Sequence, residues 1–534
     1  MLVTEPRLHG LADPMARDCE TVIRSNRTRE GAEIKQISTA HGQLERSRVV
    51  AAAAGRYAES PVLAVPLRKL LHCVATIVIG VVSGCASHAD RVWIVREEYH
   101  AGRLDVASAS VDKQLKRHKG EADVFLLDKA MIELSSGRPK EAEQILRGVR
   151  DRFDDYEQKD AGEVTLSMLT DDNAQAYPGE DYERVLVRAM LALSNLMTDG
   201  KDSGAYALQM VDKQQQIIQK ATEKQKKFTE LAQSKQEGDA ATPPESGPPF
   251  LPAELAYKQV ALGPYIRAML AEESPLTLDE AARARVQVAS FEPNFRDANA
   301  DLQRAQYETP IAPGRGVLYV FALVGRGPIK QEKEEIATQV SLLIADRIVN
   351  AFSNRAIPPT LAPVKVPQVI NFPSVTEGVS VRVDGVQVGT TATIVDVGAM
   401  AERQQQAHYP EVIARAVARR VLKKGVLYAA QEVADVEQGG VLSLGVMAAG
   451  VAWEATENAD TRCWALLPDT IQVLRVELPV GEHEILLRPM GHNGELASTA
   501  RTNVEILDGR NTYLLGTLPT TQFVGKLLTS GDRY

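Results

Sequence analysis

A sequence pattern that occurs twice in the first half of the chain most constrains the fold. Residues 98–115, EYHAGRLDVASASVDKQL, and residues 133–150, ELSSGRPKEAEQILRGVR, align so that Gly102 matches Gly137, 35 positions later. Each copy predicts a helix that ends before a small-Gly-Arg turn and a second helix that follows it. An alanine stands five positions after each glycine, where two helices must approach closely. The pattern therefore predicts pairs of packed helices.

This period resembles that of tetratricopeptide (TPR) repeats, whose helix pairs recur about every 34 residues. The resemblance lies in the period and in the glycine-to-alanine spacing, from Gly102 to Ala107 and from Gly137 to Ala142. It implies an α-solenoid, in which stacked helix pairs present a concave binding surface. A generic helical hairpin is the alternative explanation.

Helical patterns continue to residue 305. Residues 178–200 begin with Pro, Glu and Asp, which favour a helix N-terminus. A long polar helix is expected over residues 202–228, a Pro-rich loop over 234–252, and one more hairpin over 253–295. We therefore expect a helical repeat domain of residues 85–310. The apolar face of the helix at 178–200 is formed by Val185, Leu186, Ala189, Leu193 and Leu196.

The pattern changes to that of strands after residue 310. Residues 316–325, GVLYVFALVG, are a continuous apolar run rich in β-branched and aromatic side chains, which predicts a buried strand. Residues 379–397 alternate apolar and polar side chains around Asp384-Gly385, a dipeptide typical of hairpin turns. Further strands, with a turn at Gly481, are expected near the end of the chain.

Helices interrupt this strand region. Residues 410–433 place apolar side chains at helical spacing, and residues 439–453 are apolar with recurring Gly and Ala, which indicates a buried helix. We therefore expect helices inserted at 399–460 in a mixed α/β domain of residues 311–534. The fold class expected for the whole chain is α+β.

Two strand segments resemble the PEGA-type small β-sandwich. They are VSVRVDGVQVGTT, residues 379–391, and LPVGEHEILL, residues 478–487. In that family an Asp-Gly hairpin, a Gly-Thr step and a Pro-x-Gly loop recur. The resemblance implies a PEGA-like antiparallel β-sandwich within the C-terminal domain.

Ahead of the helical region lies LRKLLHCVATIVIGVVSGC, residues 67–85. Basic residues, a short apolar run and small residues before a cysteine form the three-part pattern of a secretory signal. The apolar run is much shorter than the ~20 residues of a membrane-spanning helix. Its end, Val82-Ser83-Gly84-Cys85, resembles the lipobox of bacterial lipoproteins, whose cysteine begins the mature chain and carries the lipid. A buried strand that ends in Gly-Cys is the alternative.

Residues 1–67 carry scattered charges without apolar periodicity, which predicts a disordered leader. Because a signal peptide begins a chain, this leader indicates a start site assigned too far upstream, with residues 68–84 as the signal peptide. Cys85 is then the predicted site of lipid attachment. Ala86 rather than Asp follows it. By the sorting rule of Gram-negative bacteria this implies the periplasmic face of the outer membrane.

Composition and motifs exclude several classes of function. The formal net charge is -9 and no basic stripe stands out, so nucleic acid is not expected as a partner. Of the 4 cysteines, only Cys85 and Cys463 remain after cleavage, which excludes a disulfide framework. The sequence lacks a phosphate-binding loop, a His-Glu-x-x-His pair and a Gly-x-Ser-x-Gly elbow. We expect no catalytic residue, no metal and no cofactor.

Two short segments, YPGEDYERVLV and GPIKQE, contain the candidate partner-binding residues. We expect the tyrosine-rich edge of the first segment to be exposed to a partner. The alternative is that its acidic residues stabilise a helix N-terminus, by a few tenths to about 1 kcal/mol each. For the lysine of the second segment, the alternatives are a solvated side chain and a structural ion pair. The candidates are Tyr177, Glu180, Asp181, Tyr182 and Lys330.

The order of elements from Cys85 onward resembles an uncharacterised family of bacterial TPR-like lipoproteins. The order is lipobox, helix pairs, YPGEDYERVLV, a long helix, ALVGRGPIKQE and a helix-interrupted β-region that contains ENADTRCWALLPDTIQVLRVELPVGEHEI. The resemblance covers most of the mature chain and brings no catalytic residues with it. It implies the location and architecture of a lipid-anchored envelope protein. Because repeat helices offer a recognition surface, the lipid gives a tether and no site chemistry competes, we expect a non-enzymatic scaffold for an envelope complex.

Two other functions fit the same sequence. One is an activator or accessory subunit of a cell-wall or polysaccharide-export enzyme. The other is a module that binds peptidoglycan or another polysaccharide, which requires Phe372, Trp464 and Tyr513 to be exposed on the β-domain. Against this, Cys463 and Trp464 are expected to pack in the core.

Overall fold

The computed structural model describes six stretches of the chain. The leader, the signal-like segment with Cys85, the apolar residues 439–453 and most of the loop at 234–252 lie outside them. The described residues are 87–160, 176–236, 257–307, 311–352, 363–433 and 458–530.

The described residues up to 307 form nine α-helices. Gly102 and Gly137 adopt left-handed backbone, with φ of 76° and 87°, between the members of the first two helix pairs. Ala107 and Ala142 are fully buried. Both predicted helix pairs are therefore confirmed. The helices are α1 His88–His100, α2 Leu104–Arg117, α3 Ala122–Ser135, α4 Pro139–Asp160, α5 Asp181–Leu196, α6 Ser203–Gln236, α7 Leu262–Ala271, α8 Leu278–Phe291 and α9 Ala298–Tyr307.

Helix α5 is the centre of this helical part. The five side chains of its predicted apolar face are all buried. The polar side chains of Arg188 and Asn195 are buried as well, because α4, α6 and a later helix pack around α5. Arg188 is held by both carboxylate oxygens of Asp154, at 2.8 and 2.6 Å. Thus α5 is a core helix that carries paired polar groups.

After residue 310 the chain is mostly β-structure. The described part contains two further helices, α10 Gln339–Phe352 and α11 Val397–Val433. Its strands are β1 Arg315–Val324, β2 Ile329–Glu335, β3 Val364–Ile370, β4 Gly378–Val383, β5 Val386–Thr390, β6 Ala392–Asp396, β7 Thr470–Pro479, β8 Gly481–Gly491, β9 Gly494–Glu495, β10 Ala500–Ile506, β11 Asn511–Leu518 and β12 Leu528–Thr529. A helical N-terminal part followed by a β-rich C-terminal part confirms the α+β class.

The strands form three sheets. The first has the order β12-β11-β1-β7-β6, in which β1 runs parallel to β11 and antiparallel to β7. The second has the order β10-β8-β4-β5, with β9 beside β8, and all its pairs are antiparallel. Strands β2 and β3 form a separate antiparallel pair.

Strand β1 is buried on both faces, as its sequence predicted. Leu318 and Val320 belong to the core between the first two sheets. Tyr319 and Phe321, which point the other way, belong to a core that is continuous through the helices. The helical part, the first sheet and the second sheet are therefore three successive layers.

The hairpin predicted at Asp384-Gly385 is confirmed. These residues have φ of 50° and 81°, the left-handed pair that a tight two-residue hairpin turn requires. Strand β4 also pairs with β8, so residues 379–383 lie beside residues 485–489 despite their separation in sequence. The turn at Gly481 connects β7 of the first sheet to β8 of the second.

The helix predicted to begin at Pro410 begins earlier, at Val397, and contains Pro410 in its interior. A proline inside a helix removes one backbone hydrogen bond. Burial on both sides of it offsets this cost: Met400 lies in the helix–sheet core, and Ile413 lies in a third apolar cluster with α10 and β3. Tertiary packing therefore decides the extent of α11.

Candidate functional site

A cleft of about 360 Å³ lies where the segment before α5 meets α11, β2 and β3. All five candidate residues line it, although 150 positions separate Lys330 from Glu180. The α11 side of the cleft is formed by Ala401, Gln404, Gln405, His408, Tyr409, Glu411, Val412 and Arg415.

The floor of the cleft contains a buried ion pair. The Lys330 ammonium donates a hydrogen bond to Glu180 Oε1, and the Gln404 amide donates one to Glu180 Oε2. Lys330 is only 9 % exposed. Burial favours the neutral amine, but the attraction of Glu180 and Asp460 outweighs it and raises the pKa of Lys330. Of the two alternatives for this lysine, the structural ion pair is the one that forms.

Glu183, which was not among the candidates, anchors the segment before α5. Its carboxylate is fully buried and accepts hydrogen bonds from Tyr177 Oη at 2.6 Å, Glu180 N at 3.1 Å and Trp464 N at 2.7 Å. Burial and the repulsion of Glu180 raise the pKa of Glu183. The sequence signal for this role is the spacing of three between Glu180 and Glu183, which form a capping box at the start of α5.

The expectation of an exposed tyrosine-rich edge is wrong. Tyr177 and Tyr182 are each 3 % exposed. The Tyr177 ring packs edge-on against Phe153, with centroids 6.1 Å apart, and the Arg462 guanidinium lies 5.2 Å from its centroid. Both rings supply core packing, so of the four candidate residues in that segment only Glu180 and Asp181 are half-buried. The alternative of acidic residues at a helix N-terminus is confirmed.

A second ion pair closes one end of the cleft. The Arg462 guanidinium donates to Asp460 from Nε at 2.9 Å and from Nη2 at 2.8 Å. Burial opposes ionisation of Asp460, but Arg462 and Lys330 together hold its pKa below the usual range. Cys463, next in sequence, is a buried free thiol whose pKa is raised by burial to about 12. No spacing in the sequence signals Asp460 or Arg462.

Two adjacent glutamines of α11 connect the cleft walls. Gln404 Oε1 accepts a hydrogen bond from Tyr182 N at 3.0 Å. Gln405 Oε1 accepts one from Val369 N at 3.0 Å, and Gln405 Nε2 donates to Pro367 O at 3.0 Å. One glutamine thus holds the start of α5, and the other holds the outer edge of β3.

Gly179 has a conformation and an environment that exclude a side chain. Its φ is 73°, and a Cβ atom there would lie 2.4 Å from Cε2 of Phe153. We expect Gly179→Ala to lower the free energy of unfolding by about 2 kcal/mol, because it combines left-handed strain with overpacking. Urea denaturation tests this. Gly120→Ala is the control, since that glycine has open space around it; an equal effect of both changes would contradict the prediction.

Asp128 is a buried carboxyl group in the same core. It accepts a hydrogen bond from Leu466 N at 3.0 Å, and burial raises its pKa from 3.8 to about 8. The folded protein therefore binds the proton of the Asp128 carboxyl group more tightly than the unfolded chain does. The stability that this proton contributes is fully present below pH 3.8 and is lost as the pH rises towards 8. The slope is at most about 1.4 kcal/mol per pH unit.

We therefore expect Asp128→Asn to weaken the pH dependence of stability. Between pH 5 and pH 8 the wild type should lose on the order of 3 to 4 kcal/mol relative to this variant. Unfolding by urea at both pH values measures the difference. Asp105→Asn, at an exposed aspartate of α2, should leave the wild-type dependence unchanged, and identical slopes for all three proteins would show that Asp128 is not the responsible group.

Two of the three aromatic residues required for polysaccharide binding are not available on the surface. Trp464 and Tyr513 are fully buried, in agreement with the expected core position of Cys463 and Trp464. Phe372 is half-buried, and the Arg96 guanidinium lies 4.8 Å from its ring centroid. The exposure that this alternative requires is therefore contradicted for Trp464 and Tyr513, because both side chains fill the core between helices and sheet.

Other tests for a site within the described ranges are negative. There, no three or more His, Cys, Asp or Glu side chains are grouped so that they could hold a metal ion. None of the helices in those ranges combines the length and the apolar character that crossing a membrane requires. No family model, no curated protein and no solved structure matches this chain.

Proposed function

We propose that this chain is a lipid-anchored protein of the cell envelope, on the periplasmic face of the outer membrane, and that it binds other envelope proteins through the cleft. The paired charges of the cleft are the observation that supports this proposal. Its buried ionisable groups hold one another, Lys330 with Glu180 and Arg462 with Asp460. Fixed charges of this kind suit recognition, whereas acid–base or nucleophilic catalysis needs a group free to react with substrate.

The architecture supports a scaffold. The two helix pairs with left-handed glycines at the turns favour a TPR-like solenoid, in which stacked pairs offer extended surface. The pairing of β4 with β8 favours a PEGA-like sandwich, because it brings the two similar segments into neighbouring strands. The TPR-like solenoid and the PEGA-like sandwich are both parts of this proposal.

The anchor is tested by palmitate labelling. Cells that express the wild type, Cys85→Ser or Cys73→Ser are grown with radiolabelled palmitate, and membranes are fractionated. We expect label in the wild type and in Cys73→Ser, whose cysteine precedes the apolar run, and no label in Cys85→Ser. Label that persists in Cys85→Ser, or is absent from the wild type, would overturn the lipid anchor.

The binding role is tested by photo-crosslinking in intact cells. A photoreactive residue at position 408 faces the cleft, whereas one at position 403 is exposed on the same helix and does not line the cleft. We expect a discrete protein adduct from position 408 and none from position 403. No adduct at either position, or the same adduct at both, would refute binding at the cleft.

A further inference from the structure

The cleft contains a cationic side chain that has no partner within the described residues. Three cations of the cleft have carboxylate partners: Arg184 with Asp181, Lys330 with Glu180 and Arg462 with Asp460. Arg415 lines the same cleft and is half-buried, yet no described residue forms a hydrogen bond or ion pair with it. This guanidinium is therefore available to a ligand.

Arg415 lies on the face of α11 that forms the cleft wall. Gln405, His408, Val412 and Arg415 recur at spacings of three and four, so their side chains follow one face of the helix. A guanidinium presents a planar fork of N–H donors that matches the two oxygens of a carboxylate. The wall thus ends in a group suited to carboxylate recognition.

The opposite wall is formed by an irregular segment. Residues 176–180 belong to neither a helix nor a strand. Within this segment Tyr177 and Gly179 are buried, and Pro178 and Glu180 are half-buried. Pro178 of this segment, Val412 of α11 and Pro367 of β3 provide apolar surface in the cleft.

We propose that the cleft binds an extended peptide segment of a partner and that Arg415 holds a carboxylate of that segment. The inference rests on the proposed binding function and names its ligand. The volume of about 360 Å³ is enough for a few residues rather than a folded domain. The carboxylate comes either from a C-terminus or from an Asp or Glu side chain, which the experiment separates.

The test uses fluorescein-labelled random hexapeptides in three forms. One has a free C-terminal carboxylate and no acidic side chain, one is the matched C-terminal amide, and one is an amide with a central Glu. Fluorescence anisotropy is measured with the wild type, Arg415→Ala, Arg415→Lys and Arg403→Ala. Arg403 is exposed on the same helix, and described residues offer it no partner, so it is a matched control.

We expect at least one carboxylate form to bind more tightly than the neutral amide. That binding should weaken about tenfold or more in Arg415→Ala, less in Arg415→Lys, and not in Arg403→Ala. A preference for the free terminus or for the central Glu identifies the source of the carboxylate. Thermal unfolding of each variant confirms that it is folded.

Three results would overturn the inference: equal binding of all three peptide forms, unchanged binding by folded Arg415→Ala, or displacement of the labelled peptide by inorganic phosphate at concentrations similar to those of unlabelled peptide. The last would identify a small-anion site. If the crosslink from position 408 persists while Arg415→Ala still binds peptide normally, the proposed function stands and only this ligand assignment fails. If position 408 gives no crosslink and no peptide form binds the wild type, both the proposed function and this ligand assignment fail.

Discussion

Replacing Lys330 by Met is expected to lower the free energy of unfolding by about 3 kcal/mol. The change removes the positive charge that pairs with the Glu180 carboxylate and leaves that carboxylate without a counter-charge. Lys330 is almost fully buried, so water replaces little of the lost interaction. Urea denaturation measures the effect.

The matched control is Lys333→Met on the same strand. Lys333 pairs with Glu335 at 2.6 Å, but its side chain is 47 % exposed, and exposed pairs contribute at most about 1 kcal/mol. The double variant Lys330→Met/Glu180→Gln should recover most of the loss, since no unpaired charge remains. If Lys330→Met costs no more than Lys333→Met, the ion pair does not stabilise the cleft.

Arg285→Met is expected to destabilise the protein most, by about 4 kcal/mol. The Arg285 side chain is fully buried, donates to Glu272 Oε1 at 2.8 Å and to Asp301 Oδ2 at 2.9 Å, and lies 4.4 Å from the Tyr265 ring centroid. Its removal leaves two buried carboxylates with fewer counter-charges. Arg304, which contacts both, remains.

The loss of stability in Arg285→Met should depend on pH. Burial opposes ionisation of Glu272, but Arg285 and Arg304 outweigh it and hold its pKa below the usual range. The wild type therefore gains stability from this carboxylate above its unfolded pKa, ~4.3, and loses it at lower pH. The difference between wild type and Arg285→Met should be large at pH 7 and smaller at pH 4. Arg283→Met, at an exposed arginine of the same helix, is the control; an equal cost for both variants would contradict the prediction.

Local patterns predicted much of the fold. The helix pairs around Gly102 and Gly137, the buried strand at 316–325 and the Asp384-Gly385 hairpin all follow from side-chain periodicity and turn chemistry. These signals depend on residues close together in the sequence.

Long-range packing determined what the sequence did not indicate. Strand β2 reads IKQEKEE, with a mostly exposed and charged pattern, and forms because β3 pairs with it. Helix α11 continues through Pro410 because side chains on both sides of the proline are buried against other elements. The five candidate residues predicted from the sequence do meet at one cleft. The burial of Tyr177 and the contributions of Asp460 and Arg462 depend on contacts across hundreds of positions, which no local spacing reveals.

The position of β1 in the first sheet has a consequence for how the chain is made. Its neighbours, β7 and β11, follow it by more than a hundred residues, and Val317 pairs with Glu477 on one side and Asn511 on the other. Until the ribosome has released those segments, β1 has neither neighbour, and the helices lack Tyr319 and Phe321 from their core. We therefore expect the first sheet to be completed only after synthesis of nearly the whole chain, and products terminated before β7 to retain an unpaired apolar strand that is prone to aggregation.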